Sequence, residues 1–548
     1  MLSRRDASVC RFGRLTRTLI AEFSAHQELQ LFLLLAVGAA LLILSWPLRI
    51  PYPILLVLGG LLLGFGRGVP KVTMPPDIVL VGILPPLLYV TAYNTGLREL
   101  RQNIRPISLL AAGLVGLTMV GVACVAHWVA DLPWAVAFVL GAVVSPTDAI
   151  AATAIGRRLG VPRRLIDVGE GESLLNDGTS LVLLKTAIAA AVTGSFSLWE
   201  AGGRLVLNIV GGIAIGLVVG YSIRRVRRPL DNPPLEITIA FLTGYFAFLP
   251  ASAAGVSGVL AVVTAGVYMG WYTPELTTVE TRLQGAGFWS IVSFLLNVLL
   301  FGLVGLQLRP ILDDLSGHGG WSLVGEAALI VLAVIALRFL WVFPAAYAIR
   351  RLPSRLREPV PTPPWQHLAF ASWNGMRGAI TIAAALLVPL NTDAGSPLPD
   401  RDIVVFFAFA VVLGTLVIQG LSMPLVIRAL GLEADDEADS EEALARIRSA
   451  EAALERLQEL EQEDWVLDDT AARIRGQYRF RIDRFAARAD PDGDGKIERR
   501  SLKYQRLRRE LLETERRTVT ELRNTGEISE EVMRRVQRDL DLEESRLS

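Results

Sequence analysis

Residues 141–154 read GAVVSPTDAIAATA, and residues 169–187 read GEGESLLNDGTSLVLLKTA. Both stretches sit inside long apolar blocks, so each carries ionisable side chains into what reads as a membrane span. A charged side chain at mid-bilayer costs on the order of 2.5–3.5 kcal/mol even on the lenient insertion scales. Asp148, Glu172 and Asp177 together would then cost roughly 8–10 kcal/mol if left unpaired. A mere scaffold has no reason to keep them, so a cation pathway through the membrane is the reading they demand.

The rest of the chain agrees. Of its 548 residues 52% are hydrophobic, and formal net charge is zero. Mean hydropathy is +0.43. The zero hides a division: residues 30–430 hold the apolar blocks, while 434–548 are dense in Glu, Arg and Asp. The expected organisation is an N-terminal segment (1–29), a transmembrane domain (30–430) and a helical cytosolic regulatory tail (431–548). A spanning helix needs about 20 mostly apolar residues. Thirteen stretches qualify: 30–46, 53–66, 76–93, 106–130, 134–156, 165–193, 204–223, 235–250, 254–271, 285–308, 323–349, 368–390 and 403–430. The fold class expected is therefore an all-α integral membrane protein.

Loop charge sets the orientation. The connections after spans three, five, seven and eleven carry Arg98, Arg101 and Arg105; Arg157, Arg158, Arg163 and Arg164; Arg224, Arg225, Arg227 and Arg228; and Arg350, Arg351, Arg355 and Arg357. The intervening loops are nearly free of positive charge, so the arginine side and the tail are expected in the cytoplasm, with the body in the plasma (inner) membrane. Residues 1–29, with five arginines, disagree, and four loops outvote them.

Composition also excludes. Two cysteines, Cys10 and Cys124, and four scattered histidines give no disulfide framework and no soft metal centre. No basic stripe with interleaved aromatics points to nucleic acid. No enzymatic activity and no cofactor are expected.

The spacing gathers the charges into one site. Ser173 and Asp177, four apart on a helix, share a face, and Glu172 and Asn176 form a second such pair. Pro146 lacks an N–H and clashes with the preceding turn, so span five should break there. The break frees backbone carbonyls, that of Thr147 included, beside Asp148. Unwound carbonyls at half-helix ends are how membrane carriers hold small cations, and hard oxygen ligands suit an alkali ion. In span twelve, SWNGMRGAITIA (372–383), Gly375 and Gly378 flank Arg377 and weaken the helix likewise. Spans five and twelve are seven apart, an odd number, and so run in opposite directions. That is the arrangement of two inverted repeats, spans one to six and eight to thirteen, with broken helices crossing. Arg377 then neutralises part of the carboxylate cluster. Arg338, in span eleven, reads as structural; Lys185 snorkels; Asn297 is either helix glue or pathway lining.

The strings SPTDA, GESLLNDGTS, FLLNVLLFGLVGLQL (294–308) and NGMRGAITIA, in that order, resemble the sodium/proton exchanger (NhaP-type) class of monovalent cation:proton antiporters over about residues 30–430. The resemblance implies a homodimer of thirteen-helix protomers exchanging Na+, or K+ or Li+, for H+. It implies that Asp177 binds cation and proton alternately, with Asp148, Ser173 and the Thr147 carbonyl completing the cage. It further implies that Glu172 pairs with Arg377, that Asn176 supports the helix crossing, and that exchange is electroneutral, because Asn176 precedes the key aspartate. One position departs: Val90, in LPPLLYVTAY (84–93), stands where related archaeal-type exchangers carry a glutamate that helps hold the ion. The rival functions are a cation channel or sensor gated by these charges, and an organic-solute carrier.

In the tail, ADPDGDGKIERRS (489–501) follows the opening of an EF-hand loop with Asp490, Asp492 and Asp494, but Ser501 takes the place of the bidentate glutamate. The competing reading is an acidic turn between two helices. Calorimetry on the tail separates them: the turn predicts no heat with millimolar calcium, and a saturable exotherm would establish a calcium site.

Overall fold

The computed structural model describes residues 38–40, 43, 52–65, 78–194, 198–315, 320–348, 363–391, 398–432, 436–489 and 496–545. These separate into two compact units, divided between Ala434 and Asp435. The expected span 30–46 lies almost wholly outside the described residues. The N-terminal segment, Arg350 to Arg357 and the calcium candidates Asp490, Asp492 and Asp494 lie outside them altogether.

Among its described residues the first unit is built of helices, as a bilayer requires of any segment whose backbone finds no water. In chain order its main helices are α1 (Tyr52–Gly64), α2 (Leu84–Asn94), α3 (Ile104–Ala130), α4 (Trp134–Val143), α5 (Ile150–Leu159), α6 (Arg163–Thr193) and α7 (Leu198–Arg227). There follow α8 (Pro233–Ala253), α9 (Gly258–Leu276), α10 (Val279–Leu306), α11 (Gly320–Ala348), α12 (Trp365–Trp373), α13 (Ala379–Leu386) and α14 (Arg401–Ala429). Among the described residues seven helices are long and apolar enough to cross a membrane: α3, α6, α8, α14, α10 with its extension to Leu312, and the greater parts of α7 and α11.

Local chemistry sets several of the boundaries. Asn232, Ser257 and Thr278 cap α8, α9 and α10, each side-chain oxygen accepting from the backbone N–H three residues on at 3.2–3.3 Å. Gly194, at φ +69°, closes α6, whose 31 residues reach roughly 46 Å at 1.5 Å each. Two helices break where their sequences ask for it. Residues 144–149 separate α4 from α5 at Ser145-Pro146, and 374–378 separate α12 from α13 between Gly375 and Gly378. Helix α7 runs further than its apolar stretch, so Arg224, Arg225 and Arg227 belong to its last turn rather than to a loop.

Small residues let the backbones close. A Cβ on Gly60 of α1 would lie 2.4 Å from Gly302 O, and one on Gly305 of α10 would lie 2.3 Å from Val57 O. This is close helix contact of the small-residue kind that drives association inside lipid.

The second unit contains α15 (Asp436–Leu460), α16 (Asp468–Ala489), α17 (Lys496–Asn524) and α18 (Glu530–Ser545). Its small core includes Phe485, Leu512, Met533 and Leu540. Ion pairs such as Arg516 with Asp541 and Glu544, at 2.6 and 2.5 Å, tie α17 to α18.

Gly305→Val should lower stability by about 1–3 kcal/mol through overpacking. Heat unfolding in detergent reads this as a fall in midpoint. Gly287→Ala, on the same helix with nothing within 4 Å of the added carbon, should show no such fall.

Candidate ion-exchange site

The two breaks lie against each other. Asp148 N donates to Met376 O at 2.8 Å, joining the broken segments by their backbones. In the other direction Arg377 Nε donates to Val144 O at 3.0 Å, and its Nη1 donates to Gly375 O. Both carbonyls belong to the C-terminal ends of half-helices, α4 and α12, where the helix dipole is negative and a cation is welcome. Asp148 does the converse. It precedes the first turn of α5, and a Cβ at Gly378, the residue before α13, would lie 2.0 Å from Asp148 Oδ2. Only glycine leaves room there for the carboxylate to lie beside the positive ends of two half-helices. The backbone N–H of Arg377 is satisfied by Thr415 Oγ1 of α14 at 3.0 Å.

Helix α6 passes this crossing unbroken and presents a row of polar side chains to it. Ser173 Oγ donates to Thr147 O at 2.8 Å, and Asn176 Nδ2 donates to Thr147 Oγ1 at 2.6 Å. Thr147 Oγ1 in turn donates to Glu172 Oε1 at 3.2 Å. The three-residue spacing thus puts Ser173 and Asn176 on the same unwound threonine. Asp177, one turn beyond Ser173, is 3% exposed, and Asn176 Oδ1 and Thr381 Oγ1 are buried without hydrogen-bond partners.

The partner of Glu172 is Arg338 rather than the expected Arg377. Arg338 Nη1 and Nη2 donate to Glu172 Oε1 and Oε2 at 2.5 and 2.7 Å, while Nε donates to Ala371 O at 2.8 Å. This two-pronged geometry is the strong form of arginine–carboxylate pairing. Arg377 is held elsewhere because it sits inside a break, within reach of carbonyls that the break has freed. Arg338 was expected to be structural; its mid-span position was the signal that it answers one of the buried carboxylates.

A cavity of about 1050 Å³ takes in Thr147, Asp148, Ser173, Asp177 and Thr381 at depth. It extends to Glu99, Arg157, Arg163, Asp167 and Glu170, at the arginine-bearing end of the helices. There Arg157 pairs with Glu170 at 2.7 Å, with 66% and 20% exposure. Val90 lines the same cavity, so no carboxylate enters from α2 at that point. Lys185 is exposed and stands apart from the site, and Asn297 Nδ2 is taken by Ser293 O at 2.8 Å.

Breaking one partner of a buried ion pair leaves the other uncompensated, at about 3–5 kcal/mol. Arg338→Met should therefore unfold at markedly lower temperature, and adding Glu172→Gln should restore much of the loss. A cycle with Arg377→Met in place of Arg338→Met should show much weaker coupling to Glu172. Equal coupling to both arginines would contradict the pairing.

A family model described as "Sodium/hydrogen exchanger, transmembrane" matches residues 32–429. An uncharacterised Na+/H+ exchanger of Mycobacterium bovis is 36% identical over 505 residues, 91% of this chain and 92% of its own. A sodium, potassium, lithium and rubidium/H+ antiporter of Bacillus pumilus is 32% identical over 76% of this chain and 63% of its own. The solved sodium proton antiporter MjNhaP1 of Methanocaldococcus jannaschii superposes with a TM-score of 0.60 at 20% identity, covering 73% of this chain and 97% of that one, and so shares the fold. Two interlocked helix breaks around buried carboxylates and a family match spanning the whole apolar body lead to one conclusion: the chain is a membrane antiporter of the sodium/hydrogen exchanger family.

Proposed function

We propose that this antiporter exchanges one monovalent cation for one proton at Asp177, by alternating access. The observation that carries the reading is the single cavity that reaches both Asp177 and Asp148 from the charged rim. A carboxylate so buried is not left charged and alone, because burying an isolated charge is prohibitively costly. It holds either a proton or a cation, and each excludes the other. Asp148, Ser173 Oγ and the Thr147 carbonyl supply hard oxygens beside it, the last two 2.8 Å apart. Glu172, Arg338 and Asn176 act through position: they hold Thr147 and α6 in register and do not themselves touch the ion. Arg377 fixes the crossing.

The ion is Na+ in the first instance. With Val90 in place of a carboxylate the cage has fewer charged ligands, and the Bacillus relative's name joins potassium, lithium and rubidium to sodium. Both observations favour loose selectivity among alkali ions. Asn176 before Asp177 favours electroneutral exchange.

The two helix–break–helix segments, seven spans apart, favour a pair of inverted repeats in a thirteen-span body. Loop arginines favour a cytoplasmic tail and a cavity open to that side, with the body in the plasma membrane. The apolar, exposed face of α7, with Val206, Val210 and Leu217, offers a surface for a second copy in a homodimer.

In proteoliposomes carrying a pH dye, Asp177→Asn should reduce cation-driven proton flux to the level of empty vesicles while the protein remains folded and inserted. Flux retained in that variant would overturn the assignment. Additions of sodium, potassium and lithium in turn should all drive the native protein, with less than tenfold between them. Paired isotope and dye measurements should count one cation per proton.

A further inference from the structure

Arg227, the last residue of α7, is 3% exposed, and its Nη2 lies 3.3 Å from Glu236 Oε2 of α8, itself fully buried. Glu236 also accepts from Thr281 Oγ1 of α10 at 3.2 Å. The other two guanidinium nitrogens, Nε and Nη1, are buried with no hydrogen-bond partner. Arginine cannot shed its proton to relieve this, and unmet buried donors are costly. Beside them lies a second cavity, of about 670 Å³, lined by Arg227 and Arg282 at one end and by Trp289 and Phe294 further along. Two guanidiniums against one carboxylate leave this cavity with an excess positive charge, which suits an anion and repels the transported cation.

The location narrows the anion. Arg227 belongs to the cluster Arg224, Arg225, Arg227 and Arg228, at the end of a membrane-spanning helix where phosphate head groups lie. Basic pockets between such helices take lipid head groups, and the aromatic walls give an acyl chain an apolar surface. Val90, Asn94 and Ser293 line both this cavity and the one that reaches Asp177. An occupant here therefore shares a wall with the ion pathway.

We propose that the second cavity is a binding site for a phosphate oxyanion, held by the unmet N–H groups of Arg227 with Arg282, and that its occupancy modulates transport through the shared wall. The phosphate is either that of an anionic lipid or a free one.

The test uses the full chain in neutral detergent, titrated with dioctanoyl phosphatidic acid, dioctanoyl phosphatidylcholine or inorganic phosphate while heat unfolding is followed. Saturable stabilisation by phosphatidic acid alone identifies the lipid; stabilisation by inorganic phosphate as well shows that the oxyanion suffices. The paired variant Arg227→Gln/Glu236→Gln, which leaves no lone buried charge, should weaken the apparent affinity at least tenfold. Arg282→Gln, on an exposed side chain, should weaken it several-fold. Gly285→Leu should abolish it by filling the cavity, since the nearest neighbour of an added Cβ is 3.9 Å away. The proposal falls if neither anion stabilises the protein, if phosphatidylcholine does so equally well, or if the folded variants respond as the native chain does.

Discussion

A helix that ends inside a bilayer leaves amides and carbonyls facing a medium that cannot hydrogen-bond them. This chain ends helices there four times, at two breaks, and the arrangement of the body follows from how those ends are answered. One break supplies the N–H of Asp148 to a carbonyl of the other, and the other returns the guanidinium of Arg377 to the carbonyl of Val144. The formal charges sit with the dipoles: arginine at two negative ends, aspartate beside two positive ones. Neither break could persist alone, because each satisfies groups that the other exposes. Gly378 is the condition for this contact, since any side chain there would occupy the place of the Asp148 carboxylate.

Much of this was legible in the sequence because the decisive signals are local. Proline ends a helix within its own turn, and paired glycines loosen one within theirs, so both breaks were visible in SPTD and NGMRG. The four-residue spacing of Ser173 and Asp177 named the face that α6 turns to the crossing. The partner of Glu172 was not legible. Arg338 and Arg377 both interrupt apolar spans, and nothing within either stretch says which will cross to α6. That choice depends on the positions of α11 and α12, a long-range matter of packing. Arg227 was hidden for a different reason. In a run of four arginines every member reads as a solvated loop charge, and only the extension of α7 turns one of them inward to meet Glu236.

The polar interior is organised in concentric fashion around one unwound residue. Thr147 is bound by Ser173, Asn176 and Glu172 at once, and Glu172 is in turn gripped by Arg338. A network of this kind is stable only when nearly complete, because each member is buried and each would be costly unpaired. Beside this network two buried atoms, Asn176 Oδ1 and Thr381 Oγ1, are left without partners and have capacity to spare.

Pairing inside the body also has an electrical meaning. Among the described residues Glu172 is answered by Arg338 and Glu236 by Arg227, Asp148 and Arg377 lie on the two interlocked breaks, and Asp177 has no basic partner. Moving one elementary charge through a membrane potential is worth about 2.3 kcal/mol per 100 mV. On the exchange proposed at Asp177, a bound ion of either kind cancels this charge and the voltage has no purchase on the site. Empty, it carries one bare negative charge, subject both to the field and to the low polarisability of the surrounding lipid. The voltage therefore distinguishes the idle carrier from the loaded one, and leakage by an unloaded return is the step that this distribution of charge resists.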